Sequence, residues 1–438
     1  MHLIPQLIFV LIFSAAVYVA WGKYMTIRRN ILLGQKEDLT DNKALRWKYM
    51  ILFALGQKKM FRNFIPAFFH LFIYVGFVIV NVEVLEIVID GVFGTHRFFA
   101  PYLGGFYTFL ISFIEILSFL ALIATFIFIA RRNILKVKRF TQPELKGWPF
   151  QDANFILLME VILVTAILMM NATDYQLQMR NAEHYAQTGK LLISQFTGNM
   201  FSGIGTDNLI FLERFFWWAH IIGILFFLSY IPHSKHLHIF LAFPNSYYMR
   251  LEEKGKMQNM PVVMNEVKTI LDPTAQTIAV DNPPKSFGAK DVTDLTWKHL
   301  MDAYSCTECG RCTAACPANL TGKKLSPRKI MMDTRDRLEE VGKNVLKHGK
   351  EFSDGKSLLG DYITSEEIRA CTSCNACVEE CPVNINPLSI ILELRRYAVM
   401  EQSDAPASWN TMFNNMENNQ SPWQFNPLDR ANWVEEVK

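Results

Sequence analysis

No cysteine occurs before Cys306, and charge is scarce: only 19% of the 438 residues are Asp, Glu, Lys or Arg, against roughly 25% in ordinary soluble chains. The late cysteines exclude a secreted disulfide framework, because all eight fall in two tight groups between 306 and 381. Such grouping points to metal. A formal net charge of +3 excludes a strongly basic nucleic-acid binder, and an apolar fraction of 50% excludes a disordered chain. What is abundant is hydrophobic surface, including 34 phenylalanines.

Five segments are long and apolar enough to span a hydrocarbon core of about 30 Å: 4–22, 66–88, 104–130, 153–171 and 209–231. The first lacks a basic stretch before its apolar run and a small-residue cleavage site, so it reads as a retained helix rather than a signal peptide. Lys23, Arg28 and Arg29 follow the first segment, Lys58, Lys59 and Arg62 precede the second, and Arg131, Arg132, Lys136, Lys138 and Arg139 follow the third. The connections 89–103 and 172–208 carry few such charges. The positive-inside rule then places the N-terminus outside and everything after the fifth helix in the cytoplasm. A bacterial cytoplasmic membrane is the expected location. Residues 43–62, with Trp47, Met50, Ile51 and Leu55 among basic residues, read as an amphipathic segment at the inner interface.

The chain divides into a membrane region 1–240, a proline-containing linker 241–295, a cysteine-containing domain 296–403 and a tail 404–438. The part before residue 240 is net basic and the part after it net acidic, which suits a membrane anchor joined to a soluble domain.

The cysteine groups read Cys306-Thr-Glu-Cys309-Gly-Arg-Cys312-Thr-Ala-Ala-Cys316-Pro317 and Cys371-Thr-Ser-Cys374-Asn-Ala-Cys377-Val-Glu-Glu-Cys381-Pro382. Both are the C-x2-C-x2-C-x3-C-P run whose first three thiolates hold one [4Fe–4S] cluster while the fourth reaches the other. This assigns Cys306, Cys309, Cys312 and Cys381 to one cluster and Cys371, Cys374, Cys377 and Cys316 to the second. Zinc needs four ligands per site and leaves the third cysteine and the prolines unexplained. The 54 residues between Cys316 and Cys371 contain an expected helix at 326–341, and another is expected at 387–400.

Of ten histidines, His70 lies early in the second segment and His220 in the fifth, while His233, His236 and His238 follow at the inner end of the fifth. The two segments run in opposite directions, so His70 and the 233–238 group share the cytoplasmic side. Two imidazoles from facing helices are what a low-spin b-type haem needs. His233 and His236 also read as interfacial residues near a haem propionate. Glu83, Glu86, Glu115 and Glu160 fall in or near membrane segments, where a carboxylate is costly and usually functional. Glu115 is the deepest candidate for handling protons or a cofactor, and Lys235 is counted with the cofactor-binding residues.

The run Trp217–His220 through Tyr230-Ile-Pro232-His-Ser234-Lys235-His-Leu-His238 resembles the membrane gamma subunit of respiratory nitrate reductase. It is still closer to the fused membrane iron–sulfur oxidoreductases related to heterodisulfide reductase. That resemblance implies that two histidines eighteen residues apart on the last helix each bind a haem, and His220 and His238 have this separation. His70 matches the first partner on the second helix, whereas Val80 stands at the second. The inner haem is therefore expected between His70 and His238, with His236 the competing ligand. For His220 three readings stay open: one haem only, a second haem with another ligand, or a quinone contact.

Residues 301–400 resemble the small dicluster subunit of heterodisulfide reductase and the similar domain of glycerol-3-phosphate dehydrogenase complexes, through Cys306–Cys312, Glu379-Glu-Cys-Pro-Val383 and Arg395-Arg396. The tail, with Trp423 and Trp433, resembles the linker before the cysteine-rich catalytic domain of the fused oxidoreductases. The expected fold is thus all-α: a five-helix transmembrane haem b bundle followed by a cytoplasmic, mostly helical ferredoxin-like dicluster domain. The expected role is transfer of electrons between a cytoplasmic dehydrogenase and the (mena)quinone pool. The partner is expected to be a cysteine-rich iron–sulfur subunit, an electron-transfer flavoprotein or another soluble dehydrogenase, with no role for nucleic acid. The alternative is a heterodisulfide- or sulfite-reduction complex drawing on quinol. No nucleotide-binding glycine motif is recognisable, so substrate chemistry is expected on another subunit.

Overall fold

The computed structural model describes residues 3–253, 255–280, 286–424 and 426–437. Five helices are long and apolar enough to cross a membrane: α1 (Leu3–Ile31), α2 (Phe64–Phe93), α3 (Gly105–Asn133), α4 (Trp148–Met179) and α5 (Thr206–Tyr230). α1 alone has 29 residues, about 43 Å at 1.5 Å per residue, so its ends stand clear of the hydrocarbon. α1 packs on α2 and α5, α2 on α3, α3 on α4, and α4 on α5, which closes the helices into a ring. α2 and α5, the carriers of His70 and His220, are not neighbours in that ring.

Leu7, Leu11 and Tyr18 of α1 and Phe106, Phe109 and Phe113 of α3 stay exposed, as side chains facing lipid do. Inside, Phe9 is buried against Trp217 and Trp218, with ring centroids 5.8 and 6.4 Å apart. Gly91 admits it, because a Cβ there would lie 2.7 Å from the Phe9 ring.

The hydropathy run of the fourth segment stops at 171, yet α4 continues to Met179 with Asn171, Asp174 and Gln178 buried. Arg97 makes this possible. It donates to Asp174 Oδ2 and Asn171 Oδ1 at 2.7 Å and to the Tyr107 hydroxyl at 3.0 Å, so the buried polar groups have partners. A cavity of about 430 Å³ opens beside this network, lined by His96, Arg97, Tyr107 and Thr108 from one side and residues 186–189 from the other.

At the opposite end lie the helices α6 (His238–Tyr247), α7 (Trp297–Ser305), α8 (Arg311–Ala314), α9 (Pro327–His348), α10 (Ala376–Glu380), α11 (Pro387–Met400) and α12 (Ala407–Asn419). Among the described residues there is no strand, only isolated bridges joining Gln35 to Thr296 and Leu359 to Ile363. α9 starts where expected, with Ser326 accepting from the Lys329 N–H at 3.3 Å and Pro327 in the first turn. It runs about two turns past Val341, ending with Lys347 and His348 beside its exposed carbonyls. α11 covers the expected 387–400.

The dicluster region does not hang from a free tether. Ile27 of α1 and Leu237, Leu241 and Ala242 around the start of α6 share one buried core with Leu300, Ile330, Leu338, Ile390 and Leu394. Asn30 donates to the Tyr304 hydroxyl at 2.9 Å, and Lys23 pairs with Glu339 at 3.0 Å. The stretch after residue 240 that reads as linker thus begins with a helix packed on α7. α12 in the tail leaves Trp409, Met412, Phe413 and Met416 exposed.

Candidate metal centres

Both cysteine motifs fold alike. The first, Cys306 to Cys312, turns through left-handed backbone at Glu308 (φ 54°) and Gly310 (φ 72°), and the second at Ser373 (φ 55°) and Asn375 (φ 61°), the same two places in the repeat. Gly310 is also sterically required: a Cβ there would lie 2.4 Å from Arg328 Nη1 and 3.2 Å from the Arg139 carbonyl. Each turn then enters a short helix, α8 or α10, that carries the third cysteine, and these two helices pack together.

That packing sorts the thiols. Cys312 stands within electrostatic reach of Cys306, Cys309 and Cys381, and also of Cys377. Cys381 stands within reach of Cys309, and Cys377 within reach of Cys371, Cys374 and Cys316. Each motif's fourth cysteine is therefore brought to the other motif: Cys381 to Cys309 and Cys312, and Cys316 to Cys371 and Cys377. Burial pushes the thiols of Cys306 and Cys377 up to about 12 and that of Cys381 up to about 11. Four thiolates so close and so dry are tenable only around a cationic metal centre, and the donor set fits [4Fe–4S] clusters. Backbone N–H groups of Ser373 and Ile385 point at Cys371 and Cys381 sulfurs at 3.4 and 3.3 Å. Among the described residues no three His, Cys, Asp or Glu side chains converge on a single-ion site.

Four of the candidate histidines fall into two places, while His233 lies beside Lys23 and Glu339. His70, His236 and His238 lie within electrostatic reach of one another, and the rings of His236 and His238 are 5.6 Å apart. His220 lies apart from them, deep in α5. In three of the four, Nδ1 is engaged: by Gln57 Oε1 at 3.2 Å for His70, by the Lys235 carbonyl at 3.0 Å for His238, and by the Leu163 carbonyl at 2.9 Å for His220. A carbonyl acceptor makes Nδ1 the donor and leaves Nε2 with a free lone pair, the state of a ligating imidazole. His220 Nε2 is buried without a partner among the described residues. The imidazoles of His70 and His238 fit axial ligation of a haem. Gln57, buried in a left-handed conformation after an irregular turn at Ile51–Leu55, was not signalled by any motif.

The remaining site candidates have structural partners. Glu115 accepts from the N–H groups of Ile193 and Ser194 at 2.8 and 3.3 Å and from the Ser194 hydroxyl, which latches the loop between α4 and α5 onto α3. Lys235 donates to Glu308 Oε2 at 2.5 Å and to the Pro149 carbonyl at 2.6 Å, which ties the exit of α5 to the first cysteine motif. Glu86 accepts from the Tyr107 hydroxyl at 2.6 Å and the Phe99 N–H at 2.8 Å. Glu83 accepts from Asn171 at 3.2 Å, and its Oε2 has no hydrogen-bond partner among the described residues.

The 4Fe-4S dicluster domain family matches residues 305–385. The chain is 29% identical over 460 residues to the probable iron-sulfur-binding oxidoreductase FadF of Bacillus subtilis, covering 98% of this chain and 61% of that protein. It is 28% identical over 422 residues to the EtfAB:quinone oxidoreductase of Syntrophomonas wolfei, covering 89% and 54% respectively. A subunit of the ferredoxin/F(420)H(2)-dependent CoB-CoM heterodisulfide reductase of Methanosarcina acetivorans is 35% identical over 102 residues, 23% of this chain and 49% of that one. The chain thus spans between about half and three fifths of the first two relatives. No solved structure matches it. What these likenesses and the five apolar helices establish together is a 4Fe-4S dicluster domain joined to a membrane-type helical region, in a chain whose homologues are iron–sulfur oxidoreductases.

Proposed function

We propose that this chain is the electron-transfer subunit of a quinone-linked membrane oxidoreductase complex, with residues 296–403 holding two [4Fe–4S] clusters and residues 1–240 holding haem b between His70 and His238. The observation that carries this reading is a juxtaposition. Arg311, set between Cys309 and Cys312, donates to the carbonyls of Lys59 and Met60 at 3.5 and 3.4 Å, two to three residues after Gln57, which holds His70, so the stretch 57–60 joins the first cysteine set to the inner histidines. When bound, the clusters and haem supply one-electron chemistry. The chain's own part is to fix their spacing through the shared core and to orient the ligands through Gln57 and the Lys235 carbonyl.

The basic residues at the inner helix ends favour a cytoplasmic dicluster domain with the N-terminus outside. The tail 404–438 is the proposed contact for a cysteine-rich iron–sulfur subunit or an electron-transfer flavoprotein, a partner class favoured by the name of the Syntrophomonas relative. Quinone is assigned to the membrane region. His220, with its free Nε2, serves it directly or through a second haem. Quinone reduction left unchanged by His220→Ala, with haem content intact, would remove that residue from the quinone site.

The test is a reconstitution of the full chain, prepared anaerobically, with reduced electron-transfer flavoprotein and a soluble quinone. Reduction of the clusters, then haem absorbance, then quinone is the expected sequence. A second reading, electrons moving from quinol towards a cytoplasmic disulfide, is favoured by the likeness of the dicluster region to the Methanosarcina heterodisulfide reductase. Cluster reduction by quinol but not by flavoprotein would select it, and material without any haem would defeat the haem assignment in both.

A further inference from the structure

Arginines lie near both the inner histidines and the first cysteine set, and three of these have no carboxylate partner among the described residues. Arg311 is buried, and its Nη1 donates to the carbonyls of Lys59 and Met60, at 3.5 and 3.4 Å. Arg131, at the inner end of α3, lies over the Phe128 ring at 5.9 Å and faces Arg311. Arg139, on the turn Lys138–Phe140, lies over the Phe140 ring at 4.9 Å, and its buried Nε has no partner among the described residues. Arg139 faces Cys309, Arg311 and Arg131.

Their neighbours are different. Arg328 pairs with Glu144 at 2.7 Å, Lys235 and Arg335 share Glu308, and Arg132 has Glu308 and Asp152 within reach. Gathering three guanidinium groups without an anion is unfavourable, and planar guanidinium forks match carboxylates best.

We propose that Arg131, Arg139 and Arg311 form an anion cage that takes the two propionate carboxylates of the haem held by His70 and His238. This rests on the haem reading above and adds to it the direction of the macrocycle: its carboxylate edge faces Cys309 and the first cluster. Two rival anions exist, the charge of the first cluster itself and the phosphate of an inner-leaflet lipid. The first cysteine set is already faced by Arg335 at Cys306, Lys59 at Cys381 and Arg139 at Cys309, whereas the Arg311 guanidinium turns to the carbonyls of residues 59–60 on the His70 side and Arg131 faces Arg311. The enclosure of Arg311 beneath residues 59–60 disfavours a lipid.

The test uses the full chain with Arg131→Gln, Arg311→Gln and Arg311→Lys. Haem content, haem potential by optical titration, cluster potentials by electron paramagnetic resonance and the propionate bending band in resonance Raman spectra are read from the same preparations. Both Gln variants are expected to lower the haem potential more than either cluster potential and to move the propionate band, with Lys restoring part of both. A band and haem potential at wild-type values overturn the cage, whether or not bound lipid is lost, and so does a larger shift in a cluster. If the Gln variants fail to assemble, the wild-type band decides: indifference to exchange into D2O overturns the cage. Haem-free wild-type material overturns the underlying reading instead, and the cage with it.

Discussion

Glu308, two residues after Cys306, accepts from Lys235 at 2.5 Å and from Arg335 at 2.9 Å. A single buried carboxylate therefore links the exit of the fifth membrane helix, the first cysteine turn and α9. Burial raises the cost of its charge, but the two cations outweigh this and hold the carboxyl below its usual range.

Glu308→Ala leaves Lys235 and Arg335 facing each other in a dry junction. Removing one partner of a buried ion pair costs about 3 kcal/mol or more. The expected outcome is a lowered unfolding midpoint of the detergent-solubilised chain and faster loss of cluster absorbance in air. Wild-type resistance on both counts would show that Glu308 does not hold the junction.

Asp333 supplies a pH dependence. It accepts from Lys329 at 2.6 Å, but Lys329 also serves Glu367 at 2.9 Å and the Tyr362 carbonyl at 3.0 Å. Burial pushes the Asp333 carboxyl up to about 6, against the pull of Lys329. The unfolded value is about 3.9, so the unfolded chain releases this proton first and the folded state loses relative stability as pH rises from about 4 to about 6. Above that range the contribution is flat. Asp333→Asn removes the slope, and the wild-type-minus-variant difference in unfolding midpoint is expected to change between pH 4.5 and 6 and to stay constant from 7 to 8.

Much of this was open to sequence reading because it is local. The cysteine spacing is a property of one turn and one short helix, and the five apolar runs follow from chain composition. What escaped depends on residues distant in sequence. The run ending at 171 stops where Asn171 and Asp174 enter, and only Arg97, far upstream, makes their burial in α4 tolerable. Glu115 is a carboxyl residue deep in a membrane helix, which reads as proton handling, yet its oxygens are taken by the N–H groups and a hydroxyl of a loop some eighty residues later. Gln57 lies in no motif; its role exists only because an irregular turn aims it at His70.

Gln57 gives the third prediction. Its Oε1 accepts the Nδ1 proton of His70 and so aims Nε2 away from the turn. Gln57→Leu removes the acceptor with little change of volume, and loss of such an orienting partner typically costs 10–100-fold in metal affinity. Under the proposed function, haem retention is expected to fall by about that factor while both cluster signals persist. Gln57→Glu, which strengthens the bond and the donor character of Nε2, is expected to retain haem at a lowered potential. Equal retention in all three proteins would mean that His70 needs no such orientation.

The exchange of fourth cysteines gives the last. Cys381 lies in the second motif but within reach of Cys309, and Cys316 lies in the first motif but within reach of Cys377. Cys381→Ser should therefore disturb the cluster of Cys306, Cys309 and Cys312, and Cys316→Ser that of Cys371, Cys374 and Cys377. The two clusters differ in surroundings: Cys306 is buried beside Glu308, whereas Cys374 is exposed. Their paramagnetic spectra and potentials should differ accordingly. Cys309→Ser and Cys381→Ser are expected to alter the same reduced signal, and Cys374→Ser and Cys316→Ser the other. If Cys381→Ser instead matched Cys374→Ser, each motif would close on its own iron, and the packing of α8 on α10 would have no part in building the clusters.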